Sequence, residues 1–257
     1  MNFKKMHGLG NDFVILDFRG ESKTLTPEQI QHICHRNFGV GCDLLTILEP
    51  SNNADIFARF YNADGSESAA CGNATRCVAD IVMKERGSTS CAIETGRGVL
   101  SAESASNGLI TINMGAALSI EEIPSPDTRL PSPVTINMGN PHCVFFLDDL
   151  NAIAPTELGP QIESNLDLFP ERTNVEFCQI VGDNKIRQIT WERGCGITLA
   201  CGSGACATAI AAQHKGLIER KTEIILDGGS LFIELNAQGE ALMTGPVAYV
   251  FDGELKV

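Results

Sequence analysis

The 257-residue sequence predicts an α+β protein of two pseudosymmetric domains, each a curved mixed or antiparallel sheet wrapped around a central helix. Three features carry that expectation. The first is a near-constant internal offset. Cys71-Gly72 and Cys201-Gly202 lie 130 positions apart, Asn62 and Glu192 likewise, and Gly10-Asn11 and Gly139-Asn140 lie 129 apart. A repeat of that length means two similar domains and not a solenoid of short units. The second is an Ala-rich helical pattern opening after each Cys-Gly pair, apolar nearly all round and therefore buried. The third is the run of short strand-like segments on either side of each helix, which a sheet curving around it accommodates.

In chain order, residues 3–7 alternate and read as a strand, 8–12 as a turn, and 13–17 as the next strand. Thr26-Pro27-Glu28-Gln29 starts a helix, with Pro at the first helical position, that runs to about Arg36. Segments 44–48 and 56–61 read as strands. Val78, Ile81 and Val82 mark a helix over 73–84 that Gly87 ends. Strands follow at 91–95, 98–104 and 109–114, then a Pro-containing connector over 123–133. In the second half, 138–148 echoes 9–17, a helix spans 202–214, and strands follow at 223–226, 231–235, 241–244 and 247–251. The Gly-Asn turns and the Cys-Gly helix starts are expected to meet in a cleft between the halves.

Composition narrows the function. A formal charge of −13 argues against nucleic acid or an anionic membrane surface as the main partner. No apolar run reaches the roughly 18 residues of a membrane span, and Gly8, Gly10, Asn11 and Asp12 interrupt any secretory h-region. The expected compartment is the cytoplasm. Ten cysteines include no Cys-x-x-Cys pair, so zinc-ribbon and iron–sulfur patterns are missing and no metal is expected. Cys34, Cys42, Cys91, Cys143 and Cys178 sit in apolar sequence and read as small buried hydrophobes.

Cys71 and Cys201 read differently. A thiol reacts as its thiolate, and a helix N-terminus, with its unpaired N–H groups and partial positive charge, favours the anion. Gly72 and Gly202 let a ligand approach the backbone, and Asn73 and Ser203 add donors; two such N-termini make a carboxylate site. With a carboxylate bound there, one thiolate removes the proton on Cα and the opposing thiol delivers one, inverting the centre. His142 and Glu192 are the expected tuners of the two thiols. Asn11, Asn62, Asn140 and Asn174, all read as turn residues, are candidates for holding the far end of a substrate.

These residues resemble the diaminopimelate epimerase family along essentially the whole chain. The likeness is carried by Met6-His7-Gly8-Leu9-Gly10-Asn11-Asp12-Phe13, Asn62-Ala63-Asp64-Gly65-Ser66-Glu67, Cys71-Gly72-Asn73, Gly139-Asn140-Pro141-His142, Asn174, Glu192-Arg193-Gly194 and Ala200-Cys201-Gly202-Ser203-Gly204-Ala205-Cys206. It implies an isomerase without a cofactor that interconverts LL- and meso-2,6-diaminoheptanedioate in lysine and peptidoglycan precursor synthesis. It also implies a homodimer, and halves formed by 1–116 with 246–257, carrying Cys71, and by 117–245, carrying Cys201. Cys71 and Cys201 are then the two acid/base groups. Gly72, Asn73, Gly202 and Ser203 hold the reacting carboxylate. Asn11, Asn62, Asn140, Asn174, Glu192 and Arg193 line the rest, with Arg193 on the distal carboxylate, and Phe251 falls at the dimer contact. Four positions depart from the pattern: Leu44 replaces a glutamine, Ala74 a glycine, Ile197 a glutamate and Arg97 a small residue. They bear on substrate range and leave the catalytic set intact. Two other enzyme readings are a two-cysteine proline, hydroxyproline or glutamate racemase and an isomerase with a carboxylate for one cysteine. A reading of another class is a cysteine-rich redox or metal-binding protein. The Glu-Arg-Gly and Gly-Asn-Pro-His motifs and the presence of both cysteines favour the epimerase.

Overall fold

The computed structural model describes residues 1–21 and 23–256. The chain begins with β1 (Asn2–Gly8), β2 (Asn11–Asp17), α1 (Pro27–Cys34), β3 (Leu44–Glu49), β4 (Ile56–Asn62) and β5 (Glu67–Ser68). It continues through α2 (Gly72–Arg86), β6 (Ser90–Thr95), β7 (Gly98–Ser104), β8 (Ile110–Ala116), β9 (Ser119–Glu122), β10 (Val134–Asn137) and β11 (Pro141–Phe146). Then come α3 (Pro155–Glu163), β12 (Asn174–Gly182), β13 (Lys185–Glu192), β14 (Gly196–Thr198) and α4 (Gly202–His214). The last strands are β15 (Lys221–Leu226), β16 (Gly229–Leu235), β17 (Glu240–Gly245) and β18 (Ala248–Glu254). No helix among the described residues is long and apolar enough to cross a membrane.

Two compact units result: Met1–Ile112 with Gly245–Val257, and Asn113–Thr244. In the first, β1 pairs antiparallel with β2, β2 parallel with β3, β3 antiparallel with β4, and β4 parallel with β6; β6 and β7, and β7 and β8, pair antiparallel. Strand β5 folds back on β4, and β18 lies antiparallel beside β1. In the second unit the same sequence of pairings recurs through β10, β11, β12, β13, β15, β16 and β17, with β14 on β13 and β9 beside β10. Helices α1 and α3 fill the same crossover in their respective units, and so do α2 and α4.

Within each unit the sheet curves around one helix. α2 packs on β1, β2, β4, β6 and β7, and α4 on β10, β11, β12, β15 and β16. Their small side chains make this possible: Ala205, Ala207, Ala209, Ala211 and Ala212 of α4 are all buried. The other sheet face carries a second apolar cluster, formed around Ile30 and Ile33 of α1 in one unit and Leu158 and Ile162 of α3 in the other.

Helices α2 and α4 match their expected spans, whereas α1 ends at Cys34, short of Arg36. Helix α3 was not expected from its Pro155, Gly159 and Pro160; Gly159 is required because a Cβ there would stand 2.5 Å from the Trp191 ring. Asn11, Asn62 and Asn174 are not turn residues but the terminal residues of β2, β4 and β12; only Asn140 sits in a bend.

Candidate active site

In the first unit Cys71 is the N-cap of α2. Its extended backbone (φ −144°) lets its carbonyl accept both the Thr75 N–H and the Thr75 hydroxyl, each at 2.8 Å. Its half-buried Sγ stands 3.8 Å from Asn11 Oδ1, which also accepts the Asn73 amide at 3.3 Å. Asn73 is buried, and Arg76, with none of its surface exposed, donates to Asn73 Oδ1 at 2.9 Å. Gly8 leaves that guanidinium its space, since a Cβ would come within 2.9 Å of Arg76 Nη2. Asn11 is held in turn by Asp43, whose Oδ2 accepts from Asn11 Nδ2 and the Asp12 N–H, both at 3.0 Å. Arg36 bridges Asp12 and Asp43 at 2.8 and 2.6 Å, and Lys5 joins Asp12 at 2.5 Å. Burial opposes ionisation of Asp12, but Arg36 and Lys5 outweigh it and hold the carboxyl down at about 2. Asn62 donates to Ser66 within its own hairpin at 3.0 Å. Leu44 lies directly across the ladder from Asn62.

In the second unit Cys201 is the N-cap of α4 and is buried, with its Sγ accepting the Gly204 N–H at 3.3 Å and lying 3.6 Å from Ser203 Oγ. Burial first, and then the Glu192 carboxylate, push this thiol well above its ordinary range; Ser203 and the Gly204 N–H pull the other way. Burial and the neighbouring carboxylates thus oppose the lowering expected of a thiol at a helix N-terminus. Glu192 accepts the Thr198 hydroxyl at 2.6 Å. Asn140 donates to Ser203 Oγ at 3.3 Å, and its Oδ1 faces His142 Nε2 at 3.2 Å. Asn174 clamps the following loop, donating to the Pro141 carbonyl at 2.9 Å and accepting the Arg193 N–H at 3.0 Å. The exposed Arg193 side chain reaches the Glu171 carbonyl at 2.9 Å.

Asn11, Cys71 and Asn73 thus gather in one unit, and Asn140, His142, Cys201 and Ser203 in the other. Glu192 and Asn174 hold local loops, while Gly72 and Gly202 open their helices. Sequence reasoning missed Arg76, Asp43 and Glu176. Arg76 carried a usable signal, lying three residues after Asn73 on a helix that must be buried. Of the remaining departures, Ala74 is fully buried in α2, Ile197 is exposed on β14, and Arg97 lies in the turn between β6 and β7, where its N–H donates to Thr95 Oγ1 at 3.2 Å. Among the other thiols, burial pushes Cys91 up to about 11, as expected of a packing residue, and Cys77 to about 12. None of the ten cysteines is in a disulfide.

A family model described as diaminopimelate epimerase matches residues 3–120 and 134–250, leaving out only the connector and the chain ends. Diaminopimelate epimerase of Rhodospirillum centenum is 48% identical, the match covering 98% of this chain and 91% of that one. Its counterpart in Acidiphilium cryptum is 45% identical over 98% and 95%. Among solved structures, the Bacillus anthracis phenazine biosynthesis protein of the PhzF family superposes with a TM-score of 0.74 at 18% identity, covering 100% of this chain and 99% of that one; that likeness is one of fold. With the family model spanning both cysteine-capped helices, the chain belongs to the diaminopimelate epimerase family.

Proposed function

We propose that the protein interconverts LL- and meso-2,6-diaminoheptanedioate by two-thiol acid/base chemistry at Cα. The observation that carries this reading is the family match, which takes in both Cys-Gly helix starts and the motifs around them. One cysteine thiolate takes the Cα proton, and the electron pair left on carbon passes into the adjacent carboxylate. The other thiol returns a proton to the opposite face, so the reaction is balanced with the proton now on the first sulfur. The N–H groups of Gly72, Asn73, Gly202 and Ser203 at the two helix starts stabilise the charge that develops on the carboxylate. Asn11, Asn62, Asn140, Asn174 and Arg193 hold the remainder, with Arg193 on the distal carboxylate, and Glu192 and His142 modulate the thiols. The two compact units serve as the two catalytic halves.

The partner surface in this reading is a second copy of the chain. Tyr249, Val250 and Phe251 are consecutive exposed residues of β18, and Phe251 meets Phe3 edge-on at 5.8 Å. Light scattering is expected to give a dimer mass, and Phe251→Asp a monomer. The cytoplasm, which keeps thiols reduced, suits an enzyme that works through two of them.

Chiral analysis after incubation with LL-diaminopimelate, L-glutamate and trans-4-hydroxy-L-proline tests the assignment. Rapid turnover of diaminopimelate supports it; turnover confined to either other substrate rejects it. Leu44 removes a polar anchor beside Asn62, so Leu44→Gln is expected to lower KM for diaminopimelate by severalfold, a gain of about 1 kcal/mol.

A further inference from the structure

Glu176 is entirely buried, and so is the His142 side chain it meets, with Oε1 2.7 Å from Nδ1. Its Oε2 is buried and has no hydrogen-bond partner. A buried carboxylate in that condition needs a matching charge or a proton. The other ring nitrogen, Nε2, faces Asn140 Oδ1 at 3.2 Å, and Asn140 Nδ2 is directed at Ser203 Oγ at 3.3 Å. A carbonyl oxygen only accepts, so Nε2 carries a proton in this arrangement. A second proton lies between Nδ1 and Oε1, and the pair is neutral as a whole. Donors then run one way: Nε2–H to Asn140, the Asn140 amide to Ser203, and the Ser203 hydroxyl to the Cys201 sulfur at 3.6 Å. Were Nε2 bare, Asn140 would turn its amide to His142 and its oxygen to Ser203, and the hydroxyl would point away from Cys201.

Two further observations tie Glu176 to this thiol. A Cβ at Gly204 would stand 2.6 Å from Glu176 Oε1 and 3.2 Å from Cys201 Sγ, so carboxylate and sulfur press against the same small space. The corresponding positions of the first unit hold no such pair. The parallel ladders place His142 beside Asn174 and Glu176 beside Val144, where the first unit has Phe13 beside Leu44 and Thr46 beside Ile15. The interior of the fold at these positions does not require a charge.

We infer that Glu176 is a positioning residue that fixes the proton on His142 Nε2 and thereby aims the His142–Asn140–Ser203 chain of donors at the Cys201 thiolate. The inference rests on the proposed acid/base role of Cys201, but its test needs no substrate. In protein labelled with ¹⁵N-histidine, His142 is expected to show a protonated Nε2 at neutral pH; a bare Nε2 overturns the inference, whatever the variants do. Iodoacetamide alkylation, read peptide by peptide, then compares Cys201 with Cys71 as an internal control. Glu176→Gln still offers Nδ1 a donor and removes no net charge from the pair, so Cys201 is expected to react within about twofold of wild type. Glu176→Leu strips Nδ1 of its partner, and Cys201 is expected to react at least about fivefold more slowly with Cys71 unchanged, because only the thiolate is nucleophilic. Faster alkylation in Glu176→Gln would mean the carboxylate acts as a bare charge. Unchanged Cys201 in Glu176→Leu, or equal slowing of both cysteines, would mean a purely structural role. Each of these sinks the inference. A protein that passes these tests yet leaves diaminopimelate untouched refutes the proposed function and leaves this one standing.

Discussion

The N-caps of α2 and α4 share a backbone design and differ in what surrounds the sulfur. Cys71 is half-buried, makes no side-chain cap bond, and sits beside Asn11 and an Asn73 held by the buried cation Arg76. Cys201 is buried, caps its own helix through Sγ, and sits among the carboxylates Glu192 and Glu176. At corresponding ladder positions the first unit has Phe13 and Thr46 and the second His142 and Glu176. The difference teaches that duplication preserved the scaffold and left the charges free to diverge. A reaction that uses two faces of one carbon needs an acid and a base at once, and two identical environments would supply the same protonation state twice.

The largest expected effect comes from removing the sulfur on either side. Cys71→Ala and Cys201→Ala are each expected to lower kcat by about 10²- to 10⁴-fold, read by chiral chromatography of diaminopimelate. Making the second unit resemble the first comes next. His142→Phe combined with Glu176→Thr replaces a buried ion pair by the residues the first unit uses. Such replacements are often neutral or stabilising, so the melting temperature is expected to hold while kcat falls at least about tenfold. Loss of folding would instead show that the pair is part of the core.

A third comparison concerns the third residue of each helix. Gly204 has Glu176 against it, whereas Ala74, its counterpart, is fully buried with its Cβ already accommodated. Gly204→Ala is therefore expected to cost about 1–3 kcal/mol in denaturant unfolding through overpacking. Ala74→Gly is expected to cost only about 0.5–1 kcal/mol through backbone entropy. Equal costs would remove the asymmetry. Smallest is the effect of Glu192→Gln. Burial and Glu192 both raise the Cys201 thiol, so removing the charge lowers it and shifts the onset of Cys201 alkylation to lower pH. A shift to higher pH, or none, would leave Glu192 without the role assigned to it.

The repeat, the two central helices and both cysteines were legible in the sequence, because an N-cap followed by Gly and an Ala-rich run is a local pattern needing no tertiary information. The connector over 123–133 was legible too, and it carries no strand between β9 and β10. Strands β12 and β13 were not assigned, and α3 was hidden by two prolines and a glycine whose packing reason, the Trp191 ring, lies 32 residues on. Glu176 was invisible for a related reason. In Asn174-Val175-Glu176-Phe177 it reads as any glutamate of an alternating strand; only the fold turns it inward against His142. Asp43, which anchors Asn11 from 32 residues away, depends in the same way on the parallel pairing of β2 and β3.

Single-turnover exchange in deuterium oxide reaches the central claim most directly. With Cys71→Ser and Cys201→Ser measured separately against LL- and meso-diaminopimelate, neither variant epimerises appreciably. Each is expected to lose Cα deuterium incorporation from the stereoisomer whose proton its missing thiol removes, and to retain slow incorporation from the other. Loss of the same exchange in both variants, or unimpaired epimerisation in either, would contradict a mechanism that assigns one sulfur to each face.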